Sequence, residues 1–200
     1  KLLAFLALPV PLQSVALRLE SRAVPGSLRK HAEALLESRD VALFPLQDAA
    51  SPYSQFLKCS LAQELAIPFR GQSLEAYRCS DGFFSNLCDD QNSSTNATSS
   101  AFSLAHFGCC NVTSQALENF ASLQQEDGAY KAVPGAPRTD LLSTASAFFA
   151  LSLHRQKPVR PVREFLYAAF TADGGFSSSA EDSFADLEYT VYGLLLMGLM

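Results

Sequence analysis

The sequence predicts an all-α chain of helix pairs that recur about every 46 residues, and three observations predict it. Asp81-Gly82-Phe83-Phe84, Asp127-Gly128-Ala129-Tyr130 and Asp173-Gly174-Gly175-Phe176 start 46 positions apart, twice running. Seventeen residues after each aspartate stands a threonine: Thr98, Thr144 and Thr190. Four residues past each threonine, Phe102, Phe148 or Leu194 opens an apolar stretch. Such agreement without a gap marks a repeat architecture, in which each unit buries its apolar face on its neighbours.

The elements follow in order. Residues 1–8 are apolar and are followed by Pro9 and Pro11. They read either as part of a signal-peptide core or as a broken helix, and the run is too short to span a bilayer. Ser27 suits the cap of a helix over 28–37. Asp48 and Phe56 lie 92 residues before Asp140 and Phe148, with Pro52 in the place of threonine, so a degenerate unit precedes the clear ones. The expected organisation is one domain over 1–200. Residues 1–69 form its degenerate region, and 70–115, 116–161 and a shortened 162–200 are the clear repeats.

In the first clear unit the polar stretch 85–100 reads as a solvated loop, or more sharply as a mobile cover over a cavity mouth. Ser94 stands there in the column that Asp140 and Asp186 occupy later. In the second unit Ser114 suits the cap of a helix over 115–125, with Leu117, Phe120, Ala121 and Leu123 as its apolar face. Gly82, Gly128 and Gly174 fall where a helix-ending turn needs positive φ. Asp140 opens a helix over 141–154 that is apolar on nearly every side and therefore has to be buried. In the third unit Pro161 starts a helix to about residue 172, and Asp186 opens 187–200.

With 48% hydrophobic residues, 200 residues can bury a substantial core. The net charge of −5 is mild, and no basic patch with interleaved aromatics exists, which argues against a nucleic-acid partner. Cys59, Cys79, Cys88, Cys109 and Cys110 are odd in number and lack CxxC spacing, so reduced, mostly buried thiols are preferred to a disulfide framework. Asn92, Asn96 and Asn111 begin glycosylation sequons. The expected compartment is the cytoplasm, with secretion or an organelle as the alternative that the sequons and the apolar start suggest.

Gln124-Gln125-Glu126-Asp127-Gly128-Ala129-Tyr130 and Ala172-Asp173-Gly174-Gly175-Phe176, the latter continued by Asp186-Leu187-Glu188-Tyr189-Thr190, resemble the prenyltransferase and squalene-cyclase repeat. The resemblance covers about 70–200. It implies an α/α toroid, inner and outer helices alternating around a ring whose centre is an apolar funnel for an isoprenoid chain. Phe102, Phe148, Phe149, Tyr189 and Tyr192 are the candidates for lining it; ordinary core between helix layers is their other reading.

Protein prenyltransferases hold a zinc ion through an Asp-x-Cys and a later His. The matching positions here are Asp140-Leu141-Leu142 with Ser143, Asp186-Leu187-Glu188 with Tyr189, and Ser94-Thr95-Asn96 with Ala97. The Cys and the His are missing, so no cofactor is evident. Class II terpene cyclases use an acid at this place, which makes Asp186 and Glu188 weak catalytic candidates. At this period 200 residues supply fewer helix pairs than a closed ring of the family, so the expectation is an open arc, a ring with aberrant extra units, or a fragment of a longer polypeptide. A partner subunit would then cover its edge.

The function implied is binding of a prenyl diphosphate, with prenyl transfer alongside a helical partner. The alternative is a non-catalytic scaffold or lipid-holding subunit.

Overall fold

The computed structural model describes residues 50–64, 68–88, 90–172 and 174–200. The readings placed on 1–49 and on Asp173 lie outside the described residues. What is described is mostly helical: α1 (Pro52–Glu64), α2 (Thr95–Leu104), α3 (Ser114–Ser122), α4 (Leu141–Leu153), α5 (Arg163–Ala168) and α6 (Leu187–Leu199). A two-residue antiparallel ribbon, β1 (Tyr130–Lys131) with β2 (Thr139–Asp140), closes the loop ahead of α4.

Helix starts follow side-chain chemistry. Ser94, Asp140 and Asp186 occupy one column of the sequence and cap α2, α4 and α6, accepting from the amides of Ala97 (3.2 Å), Ser143 (2.7 Å) and Tyr189 (2.8 Å). Each satisfies one of the amides a helix leaves without a partner. α4 ends in a Schellman arrangement, with Gln156 N–H on the Leu151 carbonyl and Arg155 N–H on that of Ser152. Arg155 sits there at φ 57°, a place glycine usually takes.

α1, α2, α4 and α6 pack side by side in that order, and α3 lies against α4. Between the layers is the core. Phe102 of α2 meets Phe84 and Phe120, and Tyr130 meets Phe120 and Phe148, ring centres 5.3–6.3 Å apart. Burying aromatic area of this kind is the main favourable term in such a core.

The recurring threonines have one structural job. Thr98, Thr144 and Thr190 are each the fourth residue of their helix. Each Oγ1 accepts from the backbone N–H fourteen residues upstream: Phe84 (3.1 Å), Tyr130 (2.9 Å) and Phe176 (3.1 Å). That N–H belongs to the aromatic residue after the Asp-Gly turn, so the hydroxyl fastens the turn to the long helix that follows. Gly82, Gly128 and Gly174 take φ of 85°, 79° and 87° in these turns. The aspartates hold them: Asp81 and Asp127 accept from the N–H two residues on, and from the hydroxyls of Ser93 and Thr139 (2.6 Å each).

Three sequence expectations need correction. Residues 94–100 are not loop: Ser94 is a cap and Thr95–Leu104 is a buried helix. Its polarity is answered inside the helix, Ser99 donating to Thr95 O (2.7 Å) and Ser103 to Ser99 O (2.8 Å). Thr113 rather than Ser114 caps α3, which ends at Ser122 rather than 125. α5 is shorter than 161–172, because Phe170 leaves the helix to pair with Phe176.

Replacing Thr144 by Val would leave the Tyr130 N–H buried without an acceptor. The expected loss is about 1–3 kcal/mol in urea unfolding, whereas Thr144→Ser should lose much less. Equal losses for Val and Ser would show that methyl packing, not the hydroxyl, is what matters there.

Candidate functional site

The four long helices converge on one cleft. α1 contributes Tyr53 and Phe56, α4 Phe149, and α6 Tyr192 and Leu195. α2 contributes Asn96, Ser99, Ser100 and Ser103, and α4 adds Ser146. Among the described residues no charged side chain lines this wall. Ser99, Ser103 and Ser146 donate to carbonyls of their own helices, which removes their hydroxyl protons from the cleft. The surface is thus apolar on one side and weakly polar on the other.

Two contacts hold the cleft shut. Phe56 and Phe149 meet edge to face at 6.1 Å, joining α1 to α4. Tyr53 and Tyr192 share a hydrogen bond, joining α1 to α6. Burial raises the pKa of both phenols, Tyr192 the more strongly, so both hydroxyls stay protonated at neutral pH. The concavity measures about 410 Å³ including its open mouth, and the centre of a water molecule can move within only about 30 Å³ of it, so it has room for water only.

Of the candidate lining residues, Phe149 and Tyr192 reach the cleft. Phe102 and Phe148 do not; they fill the core between layers, because Phe120 and Tyr130 stand on the outer side of those helices. Ala145 is fully buried in that core as well. Tyr189 is half-buried at one end of α6. Burial, then the carboxylates of Asp140, Glu188, Asp186 and Asp182, push its hydroxyl pKa up. Glu188 is exposed and is not among the residues that line the cleft, and its charge adds to the upward push on the Tyr53 and Tyr192 hydroxyls. Asp186 is occupied as a helix cap. Sequence reasoning missed Tyr53, Phe56 and the serines. The Phe56 column alone pointed toward α1.

The residues in the zinc register do not fit the metal. The carboxylates of Asp140 and Asp186 each accept the amide of a helix first turn. Among the described residues no three His, Cys, Asp or Glu side chains gather as a metal-holding group. His106 and His154 stack at 4.9 Å, with His154 Nε2 on the Phe102 carbonyl, a contact within the protein. All five cysteines are thiols, Cys59, Cys79 and Cys109 buried, and burial pushes Cys59 and Cys110 up to about 12. Thiols held so far above neutrality are poor nucleophiles and poor ligands. No helix among the described residues is long and apolar enough to cross a membrane. No known protein-family model and no curated protein sequence matches the chain.

Burial raises the Asp140 carboxyl pKa, against the pull of the Ser143 and Leu142 amides. A carboxyl raised in the folded state stabilises it below the unfolded value, about 3.9, and that contribution is lost as pH rises through the folded value. Asp140→Asn keeps the cap without the charge, so its stability relative to the native chain should improve from pH 4 to pH 7. Asp140→Ala should lose about 1 kcal/mol at neutral pH. Chemical unfolding at the two pH values checks both, and a pH-independent difference between Asn and Asp would refute the linkage.

Proposed function

We propose that the chain is a prenyltransferase-β-like toroid protein that holds the hydrocarbon of an isoprenoid, as a lipid-holding subunit of a larger complex. The carrying observation is the cleft at the meeting of α1, α2, α4 and α6, with aromatic and aliphatic walls and no charge. The 46-residue spacing of the Asp-Gly turns and threonines, and the common hydrogen bond those threonines make, support the toroid reading.

Electrostatics at the rim favours a neutral ligand over a diphosphate. The charges of Asp140, Glu188, Asp186 and Asp182 act on Tyr189 at that end, and no cation is among the described residues that line the cleft. A diphosphate would there meet acidic residues without a counter-charge from the lining, which disfavours its binding. An isoprenoid alcohol needs only the hydroxyl-bearing side chains Tyr53 and Tyr192. To admit it, the Phe56–Phe149 contact and the Tyr53–Tyr192 bond have to part, with α1 moving from α4 and α6. Opening would expose those rings to water, and burying the lipid chain offsets that cost.

Farnesol or geranylgeraniol should raise the melting temperature, because a ligand that binds only the folded state stabilises it by mass action. The corresponding diphosphates should raise it less. Ser146→Trp, which fills the cleft from α4, should abolish the shift, and because the unliganded cleft has room for water only it should also cost about 1–3 kcal/mol of unliganded stability. A larger shift with the diphosphates would favour a transferase-type site, and no shift with any of the four lipids would leave a scaffold.

A further inference from the structure

Another cavity lies at the junction of the first two clear units, with α2 between it and the cleft. Thr95 and Thr98 of α2 line it, whereas Asn96 and Ser99 line the cleft. The centre of a water molecule can move through about 360 Å³ of this space, against about 30 Å³ in the cleft. Small-molecule sites fall in the range of about 300–1,000 Å³. The described residues that line it all lie between Asp81 and Pro134, so the repeat itself builds it.

The next junction provides a comparison within the same chain. Thr95 N–H bonds to Ala132 O, and 46 residues on Leu141 N–H bonds to Ser178 O, both at 2.9 Å. On that common frame three columns differ. Where the first junction has Thr95, the second has Leu141, which is fully buried. Where the first has Phe83, the second has the fully buried Ala129. Where the first has Lys131, the second has Ser177, which is buried and donates to the carbonyls of Ala169 (3.1 Å) and Ser179 (2.8 Å). The shorter Thr95 leaves room that a leucine would occupy, Phe83 adds a ring, and Lys131 adds a cation.

The chemistry of the wall follows from those three changes. Phe83, Phe120 and Tyr130 form a row of rings with centres 5.7 Å apart at each step. The Tyr130 hydroxyl is taken up by Ala121 O, so the row presents apolar surface. Leu123 and Val133, both part-exposed, continue it toward the mouth. Lys131 is half-buried and pairs with no described carboxylate. Asp81 is also in the wall, but its role is already accounted for. Its carboxylate takes the Phe83 N–H (2.9 Å) and the Ser93 hydroxyl (2.6 Å), as Asp127 takes the Ala129 N–H and the Thr139 hydroxyl in the next turn. The acid belongs to the repeat; the cation belongs to this junction. An apolar body on the rings and a single carboxylate on the ammonium would use everything the junction adds, the latter as a charge-assisted hydrogen bond.

We propose that this junction binds a small apolar monocarboxylate, its hydrocarbon body against Phe83, Leu123 and Val133 and its carboxylate on the Lys131 ammonium. The proposal goes beyond the lipid cleft and rests on the repeat register alone.

The test titrates the full chain with 3-phenylpropionate and with 3-phenylpropylamine, which has the same body and the opposite charge, followed by ligand-observed NMR. The carboxylate should bind saturably and the amine at least about tenfold more weakly. Lys131→Met should weaken the carboxylate at least about tenfold, Lys131→Arg should retain it, and neither should change the farnesol shift. Thr95→Leu, which places the residue of the second junction in the first, should abolish binding. Lys131→Met decides the matter even if Thr95→Leu fails to fold. No saturable binding of 3-phenylpropionate, or binding indifferent to Lys131→Met, would overturn the proposal. Tighter binding of the amine would do so as well, since it would assign the cavity to Asp81. A farnesol shift without carboxylate binding would sink this site alone; carboxylate binding without a farnesol shift would sink the lipid reading alone.

Discussion

One hydrogen bond recurs three times: a threonine hydroxyl on the fourth residue of a long helix, buried at Thr98 and Thr144 and part-buried at Thr190, receives the backbone N–H that follows an Asp-Gly turn. Thr98 and Thr144 are almost fully buried, so the amides they accept from have no water to turn to. An N–H stranded in such a place costs more than an ordinary hydrogen bond contributes. The bond therefore fixes where the turn sits, and the turn fixes where the next aromatic residue points. Phe84 and Tyr130 enter the core from these anchored positions and meet Phe102, Phe120 and Phe148.

This explains which parts of the fold are legible in the sequence. A column that must supply a hydroxyl at one place, an acceptor at a helix start and positive φ at a turn admits few residue types. Thr144, Asp140 and Gly128 hence stand out, and the helices they introduce start where the sequence places them. Helix ends are less legible, because they depend on tertiary contacts. α5 stops where Phe170 pairs with Phe176, and nothing near Ala168 announces it. α2 misleads for another reason. Its Ser and Thr content looks like a solvated loop, yet hydroxyls that donate to carbonyls four residues back can be buried.

The cleft is less legible again. Helices α4 and α6 are apolar on nearly every side, so hydrophobicity alone cannot tell the face turned to the centre from the opposite face. Phe148 and Phe149 are neighbours in sequence and lie on different sides of α4, one against Tyr130 and one against Phe56. Small polar residues mark the central face: Ser99, Ser103 and Ser146 line it, while Phe102 and Phe148 fill the other. Serine is small enough to let helices approach, and its polarity is absorbed by its own helix.

That division has a consequence for how the cleft works. A centre walled by large rigid side chains on every helix would be packed to native density, and opening it would sacrifice many contacts. Here the closing contacts are concentrated in two pairs, Phe56 with Phe149 and Tyr53 with Tyr192, and both involve α1. The other three helices are joined to one another through the threonine-anchored turns and the aromatic core. Parting α1 from α4 and α6 breaks these two pairs and leaves the threonine-anchored turns intact, while α1 keeps its packing on α2 and the hydrogen bonds that Gln55 and the Tyr53 N–H make with Gln72 and Asn86. The narrow space is then compatible with the ligand proposed for it, because the residues that close it are not the ones that anchor the turns.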